Sequence, residues 1–197
     1  MESVVTLDHA IIRDADFLAA GRSWRFIDTL LHDRAIERIA PGTYLRVGII
    51  DADTATLASI ALLKPQATQP LTSTLDRHDL TDEIPAHIDI VLPRGSRPVK
   101  TAFTTIRWHS FGDATFNIGR TTIELAEDIQ IGLYKSERTI IDSFRIRHLG
   151  GPEAAIDALK RWLRQPGSQP SSLLTMAKYF PQAYPSSLTL CRSCCDR

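Results

Sequence analysis

Residues 14–47 run through a short helix, a glycine turn, a second helix and a tight hairpin, an order that few small folds accept. Asp14–Ala20 reads as the first helix, closed by Gly21. Ser23 then stands where an N-cap belongs, its hydroxyl placed to bond an orphan N–H of the next turn. From Trp24 to His32 the apolar spacing is helical: Trp24, Ile27 and Leu31 share one stripe, with Phe26 and Leu30 beside it. Arg25, Thr29 and His32 fall on the opposite, polar face, and Arg22 lies just before the helix. Two β-rich runs follow, 35–40 and 43–47, around Pro41-Gly42. Proline presets φ at the first turn position and glycine accepts a positive φ at the second, so the pair closes a hairpin. The first run does not alternate cleanly, which leaves its register open.

Helix, turn, helix, hairpin is the order of a winged helix-turn-helix, and residues 1–50 are assigned to such a domain. In that geometry the second helix enters the major groove with its N-terminal residues toward base edges. Arg22 and Arg25 are then the guanine-reading or phosphate-clamping residues, because a guanidinium fork matches both acceptors. Arg38, Arg46 or the Pro41-Gly42 tip would follow the backbone. The DNA-facing set is Arg22, Ser23, Arg25, Thr29, Arg38 and Arg46. The same order also builds a compact module with no role toward nucleic acid, its arginines merely solvated. A supporting first helix is weak here, since Val4–Ile12 is short and β-like.

Residues 51–197 read as an α+β domain with a small sheet and a helical C-terminal end. Asp51–Leu63 is an Ala/Leu-rich helix stopped by Lys64-Pro65, and Leu71–Leu80 a shorter one. His87–Leu92 is a strand closed by Pro93-Arg94-Gly95; Thr101–His109, Thr121–Glu124 and Ile129–Leu133 are further β-rich runs. The period then becomes helical. One helix opens at Ser136 and runs to about His148, ended by Gly150-Gly151. The next opens at Pro152 with a stripe of Ala155, Ile156, Leu159, Trp162 and Leu163. Gln169–Phe180 is the last.

The chain has 197 residues, 43% apolar and 23% charged, enough for one medium domain or for a small domain and a larger one, with folded structure expected. No apolar run approaches the roughly 18 residues of a membrane helix, and Met1-Glu2-Ser3-Val4 lacks the pattern of a secretion signal. All three cysteines, Cys191, Cys194 and Cys195, lie in the last seven residues, which suits a reducing compartment; the expected location is cytoplasmic. Net charge is zero but unevenly placed. Residues 51–90 are acidic, and residues 93–112 carry Arg94, Arg97, Lys100 and Arg107 with no carboxylate.

Signatures of catalysis are missing from the sequence. It has no Gly-rich phosphate loop, no G-x-S-x-G and no H-E-x-x-H. His87 and Asp89 point to one side of a strand, but no third ligand stands near them in sequence, so a structural or surface pair is expected and no metal. The C-x-x-C of Cys191 and Cys194 has no second pair and reads as a loose tail. Gly95-Ser96 has the look of a nucleotidyltransferase loop, yet no Asp-x-Asp follows it. The expectation is a binding protein, not an enzyme, with no cofactor.

Several stretches together resemble the AbiEi antitoxins of type IV toxin–antitoxin systems, in their actinobacterial form. The most specific are Ile36–Leu45 at the hairpin and Leu80–Pro85. Ile88–Gly95, Ile106–His109, Ile118–Arg120, Ile131–Asp142 and Arg161–Leu163 also fit, and the resemblance spans about residues 14–183. It implies an N-terminal winged helix-turn-helix that binds inverted repeats in promoter DNA, as a homodimer or cooperatively, and represses its own operon. It further implies a C-terminal domain that neutralises a cognate nucleotidyltransferase toxin, not necessarily through a stable complex. Arg138, Arg145, Arg147, Arg161 and Arg164 are the toxin- or RNA-facing candidates; the other reading is a solvated helical face. The alternative is an antitoxin that acts directly on the toxin or its RNA substrate, with a vestigial DNA-binding domain. The terminal stretch from Ser186 departs from the apolar last helix that the family would have.

Overall fold

The computed structural model describes residues 9–100, 104–126 and 128–181. The Cys191–Cys195 tail, the stretch from Ser186, most of Val4–Ile12 and the start of the Thr101–His109 run lie outside the described residues. The fold is α+β. The chain divides into two compact units: the described residues within Met1–Gln66, Val99–Thr105 and Ile123–Ile131 form one, and those within Ala67–Pro98, Ile106–Thr122 and Gly132–Arg197 the other.

The first unit opens with β1 (Ile11–Arg13), α1 (Asp14–Ala19), α2 (Trp24–His32), β2 (Ile36–Ala40) and β3 (Thr43–Arg46). Its sheet is antiparallel in the order β1-β3-β2, with β3 at the centre. Ile12, Phe17, Ile27, Ile36 and Tyr44 make the core beneath the two helices, with Phe26, Leu30 and Leu31 packed against it. Phe17 meets the Tyr44 ring edge-on, centroids 5.8 Å apart, a favoured aromatic arrangement. The poor alternation of 36–40 has a structural cause. The β2–β3 register shifts between Arg38 and Ala40, so Ile39 has no partner on β3. Ile39 and Ala40 are both buried, and the Ile39 carbonyl instead accepts a 2.5 Å hydrogen bond from the Ser59 hydroxyl.

Ser59 belongs to α3 (Ala52–Leu63), which is buried through all of Ala55–Ala61. A helix apolar all round has no solvated face. Asp51 caps it, accepting from the Thr54 N–H at 2.8 Å and from the Thr54 hydroxyl at 2.7 Å, and these bonds hold its carboxyl below the ordinary value.

The remaining elements are β4 (Thr68–Gln69), α4 (Leu71–Arg77), β5 (Ile88–Pro93), β6 (Ile106–Phe111), α5 (Asp113–Phe116), β7 (Arg120–Ala126), β8 (Ile129–Tyr134), α6 (Ser136–Arg145), α7 (Arg147–Arg164) and α8 (Pro170–Ala177). The five-stranded sheet has the order β6-β5-β4-β8-β7. β5 runs parallel to β6, with Asp89 beside Arg107 and Val91 beside His109. In the second unit the helical core gathers Leu75 and Leu80 with Ile140, Phe144, Leu159 and Trp162.

Several boundaries differ from those read in the sequence, among them these three. α4 stops at Arg77, and the chain turns through Asp79 at φ 56° before burying Leu80. β6 ends at Phe111, two residues beyond His109, because the parallel ladder with β5 continues to Pro93↔Phe111. The break between α6 and α7 falls at Ile146, and Gly150, Gly151 and Pro152 lie inside α7. Proline removes only its own donor and crowds one carbonyl, and glycine takes helical φ as readily as any other value. Neither forces a stop. Among the described residues no helix is long and apolar enough to cross a membrane.

Candidate nucleic-acid interface

The first unit presents the outer face of α2 and the β2–β3 hairpin. Ser23 occupies the N-cap backbone position with extended φ and ψ, but its side chain makes no capping bond, so the sequence expectation for its hydroxyl is corrected. The Ser23 carbonyl already accepts from Phe26 N–H at 3.0 Å, which starts the helix without it. The Arg22 guanidinium lies over the Phe26 ring, 4.9 Å from its centroid. That contact brings the cation to the helix start. Arg25 and Thr29 are exposed one turn apart, and the Thr29 hydroxyl donates to the Arg25 carbonyl at 2.9 Å. Ile27 is the buried residue of this helix.

Trp24 is the second correction. The apolar stripe assigned it to the core, but 55% of its surface is exposed. It lies in the first turn of α2, where the core of Phe17, Ile27 and Tyr44 closes without it.

The hairpin is tied to α1. Asp14 N–H donates to the Gly42 carbonyl at 2.9 Å, and Gly42 takes φ 64° at the turn. Tyr44 reaches Asp14 through its hydroxyl and Arg38 through both hydroxyl and ring; Arg38 Nη2 lies 3.4 Å from that hydroxyl. Burial, and then the Asp14 bond, push the Tyr44 phenol above its ordinary value. Arg38 therefore rests on an anchored tyrosine at the hairpin. Arg46, half-buried at the end of β3, pairs in register with Ile36. One compact unit thus carries Arg22, Ser23, Arg25 and Thr29 at α2 and Arg38 and Arg46 on the hairpin.

The five C-terminal arginines divide. Arg138 is not on the surface expected of it: its side chain is fully buried. Its Nε donates to Asp142 at 2.8 Å, and its Nη1 donates to the carbonyls of Thr115 at 2.7 Å and Ile118 at 2.6 Å. Its guanidinium also lies 4.2 Å from the Phe180 ring centroid and 4.5 Å from that of Tyr134. A charge this desolvated persists only when paired and bonded, which is its situation here. Arg145 is half-buried, bonded to Asp142 and set over Phe180. Arg161 is bonded to Asp82 through both terminal nitrogens, and this partner holds the Asp82 carboxyl below its ordinary value. Arg164 is exposed, and Arg147 lies in α7 with its side chain outside what is described. Of the described side chains in the set, Arg164 is the one that is exposed.

His87 and Asp89 gain a neighbour that the sequence hid. His109, carried by β6, is hydrogen-bonded to the buried Asp89 carboxylate at 2.7 Å, while His87 Nε2 stands 3.9 Å from the same oxygen. Parallel pairing of β5 with β6 makes this contact, and strand pairing across twenty residues is not written in local spacing. Arg107 Nη2 approaches His87 Nδ1 at 3.5 Å. Among the described residues no group of three has the arrangement of a metal site.

No protein-family model matches the chain, and no curated protein matches it. Among solved structures the chain is similar to the RV2827C protein from Mycobacterium tuberculosis, with a TM-score of 0.54 at 13% identity. The match covers 94% of this chain and 77% of that one. At that identity the likeness concerns the fold.

Proposed function

We propose that this chain is the antitoxin of a type IV toxin–antitoxin system, a repressor that binds promoter DNA through a winged helix-turn-helix at its N-terminus. The observation that carries the reading is the strand order β1-β3-β2 with α1 and α2 between β1 and β2. In it a hairpin stands beside a helix whose outer face bears Arg25 and Thr29. In this reading α2 enters the major groove and the β2–β3 hairpin, with Arg38 on it, follows the phosphates. Two copies on an inverted repeat match the two-fold symmetry of such a site. The resemblance of the hairpin and of Leu80–Pro85 to AbiEi sequences supports a role for the C-terminal domain, residues 51–197, in neutralising a nucleotidyltransferase toxin in the cytoplasm.

The test is binding of the full chain to the DNA immediately upstream of its own coding sequence, against a scrambled fragment, over a salt series. Arg25→Ala and Arg38→Ala each remove one cation from a phosphate, and each should lower the salt slope by about one. Equal affinity for both fragments at every salt concentration would remove the repressor role.

A second reading is favoured by one observation. Ile84, inside the Leu80–Pro85 stretch, is 93% exposed. In an antitoxin that meets its toxin directly, this side chain would be covered at their interface. Co-purification of a stable complex that Ile84→Asp abolishes would support it.

A further inference from the structure

Trp24 is the largest apolar side chain that the first unit leaves in water. Leaving an indole outside a core forgoes the stabilisation its burial would bring, and here the core below is complete without it. Its surroundings are polar and cationic: Arg22 precedes it, Ser23 and Arg25 adjoin it, and both of these neighbours are exposed. Asp28, one turn on, is exposed and repels phosphate, so the first turn is the part of α2 that suits a polyanion.

We propose that Trp24 is a specificity-determining contact that packs on the C5-methyl group of a thymine in the major groove. The inference rests on the DNA-binding reading above and adds the base chemistry that it reads. In that groove thymine is the base that offers an apolar group, amid donors, acceptors and phosphates. An indole with Arg22 two residues before it and Arg25 next to it in the chain has the complementary pattern. A second copy of this chain is the poorer occupant, because covering Trp24 would also strip water from the charged Arg25 beside it.

The experiment uses the full chain and the DNA upstream of its own coding sequence, synthesised once with thymine and once with uracil in every thymine position. Uracil lacks the methyl and keeps the pairing. Wild type should bind the uracil fragment about fourfold more weakly for each methyl that Trp24 covers. Trp24→Ala should bind both fragments equally while keeping the wild-type salt slope. Arg25→Ala should do the opposite, keeping the thymine preference and reducing the salt slope. A thymine preference unchanged in Trp24→Ala overturns the inference and leaves the repressor role intact. Loss of self-association in Trp24→Ala with that preference unchanged overturns it in favour of a second copy as the occupant. If wild type shows no preference for upstream over scrambled DNA, the repressor reading and this inference fall together.

Discussion

Arg138 and Asp142, one turn apart on α6, form an ion pair whose two side chains are wholly shut away from solvent. Taking two charges out of water is costly, and their attraction offsets that cost only when every remaining polar atom is also bonded. Arg138 meets most of this condition through Thr115 and Ile118, and Asp142 through Arg145, although Arg138 Nη2 has no partner among the described residues. Removing one partner should therefore hurt more than removing both. Arg138→Ala and Asp142→Ala should each cost about 3–5 kcal/mol. Arg138→Met with Asp142→Leu should recover part of the loss, but not all, because the carbonyls of Thr115 and Ile118 lose their donor. Urea unfolding of the single and double variants checks this; additive losses would show that the two charges do not depend on each other.

Gly42 should resist replacement for two separable reasons. Its φ of 64° disfavours any side chain, and a Cβ there would lie 2.6 Å from Asp14 Oδ2. Gly42→Ala should destabilise the protein by about 1–2 kcal/mol and loosen the hairpin from α1. Thermal unfolding measures the first effect. Faster amide hydrogen exchange at Asp14, whose N–H donates to Gly42, reports the second.

Gly132 is set by space and not by backbone angle. A Cβ there would lie 2.3 Å from the Thr68 hydroxyl and 2.6 Å from Arg120 Nη2. These are the groups joined by the 2.8 Å bond from Arg120 Nε to Thr68, beside the β4–β8 pairing. Gly132→Ala should cost about 1–3 kcal/mol, the range for overpacking a filled site. Combining it with Thr68→Ala should restore part of that, as read from the urea midpoint.

The Arg161–Asp82 pair should show in a titration. Arg161 lowers the Asp82 carboxyl below its ordinary value, so the folded state holds this proton less tightly than the unfolded state does. The contribution is then complete above the unfolded value, about 3.8, and is lost as pH falls through the lowered folded value. Carboxyl NMR should place Asp82 below that value in wild type and back at it in Arg161→Ala. A value unmoved by the substitution would mean that Arg161 is not its partner in solution.

Much of the first unit was legible because its signals are local. α2 runs over Trp24–His32 as its spacing and the Gly21–Ser23 break required, and the hairpin turns at Pro41-Gly42. The stripe also named Ile27 correctly as core, but not Trp24, because Ile12, Phe17, Ile27, Ile36 and Tyr44 make up the core without it. Further along the chain the strands near 88–93 and 129–134 were readable, while the two residues of β4 and the four of α5 are too short to carry a period. Arg138 looked like one more cation on a helix face; Ile140, Ile141 and Phe144 mark a core side, but spacing does not say that α6 is covered on the side of Arg138 as well.

The sequence by itself determined most of the longer helices and the hairpin turn, since apolar period and proline and glycine turn geometry act within a few residues. Tertiary structure decided which charges are buried. Arg138 is enclosed by Thr115, Ile118 and Phe180, and Asp89 meets His109 across two parallel strands, contacts between residues far apart in the chain. A charge is costly to bury until its partners arrive from other elements, so its place depends on a packing that no local pattern records.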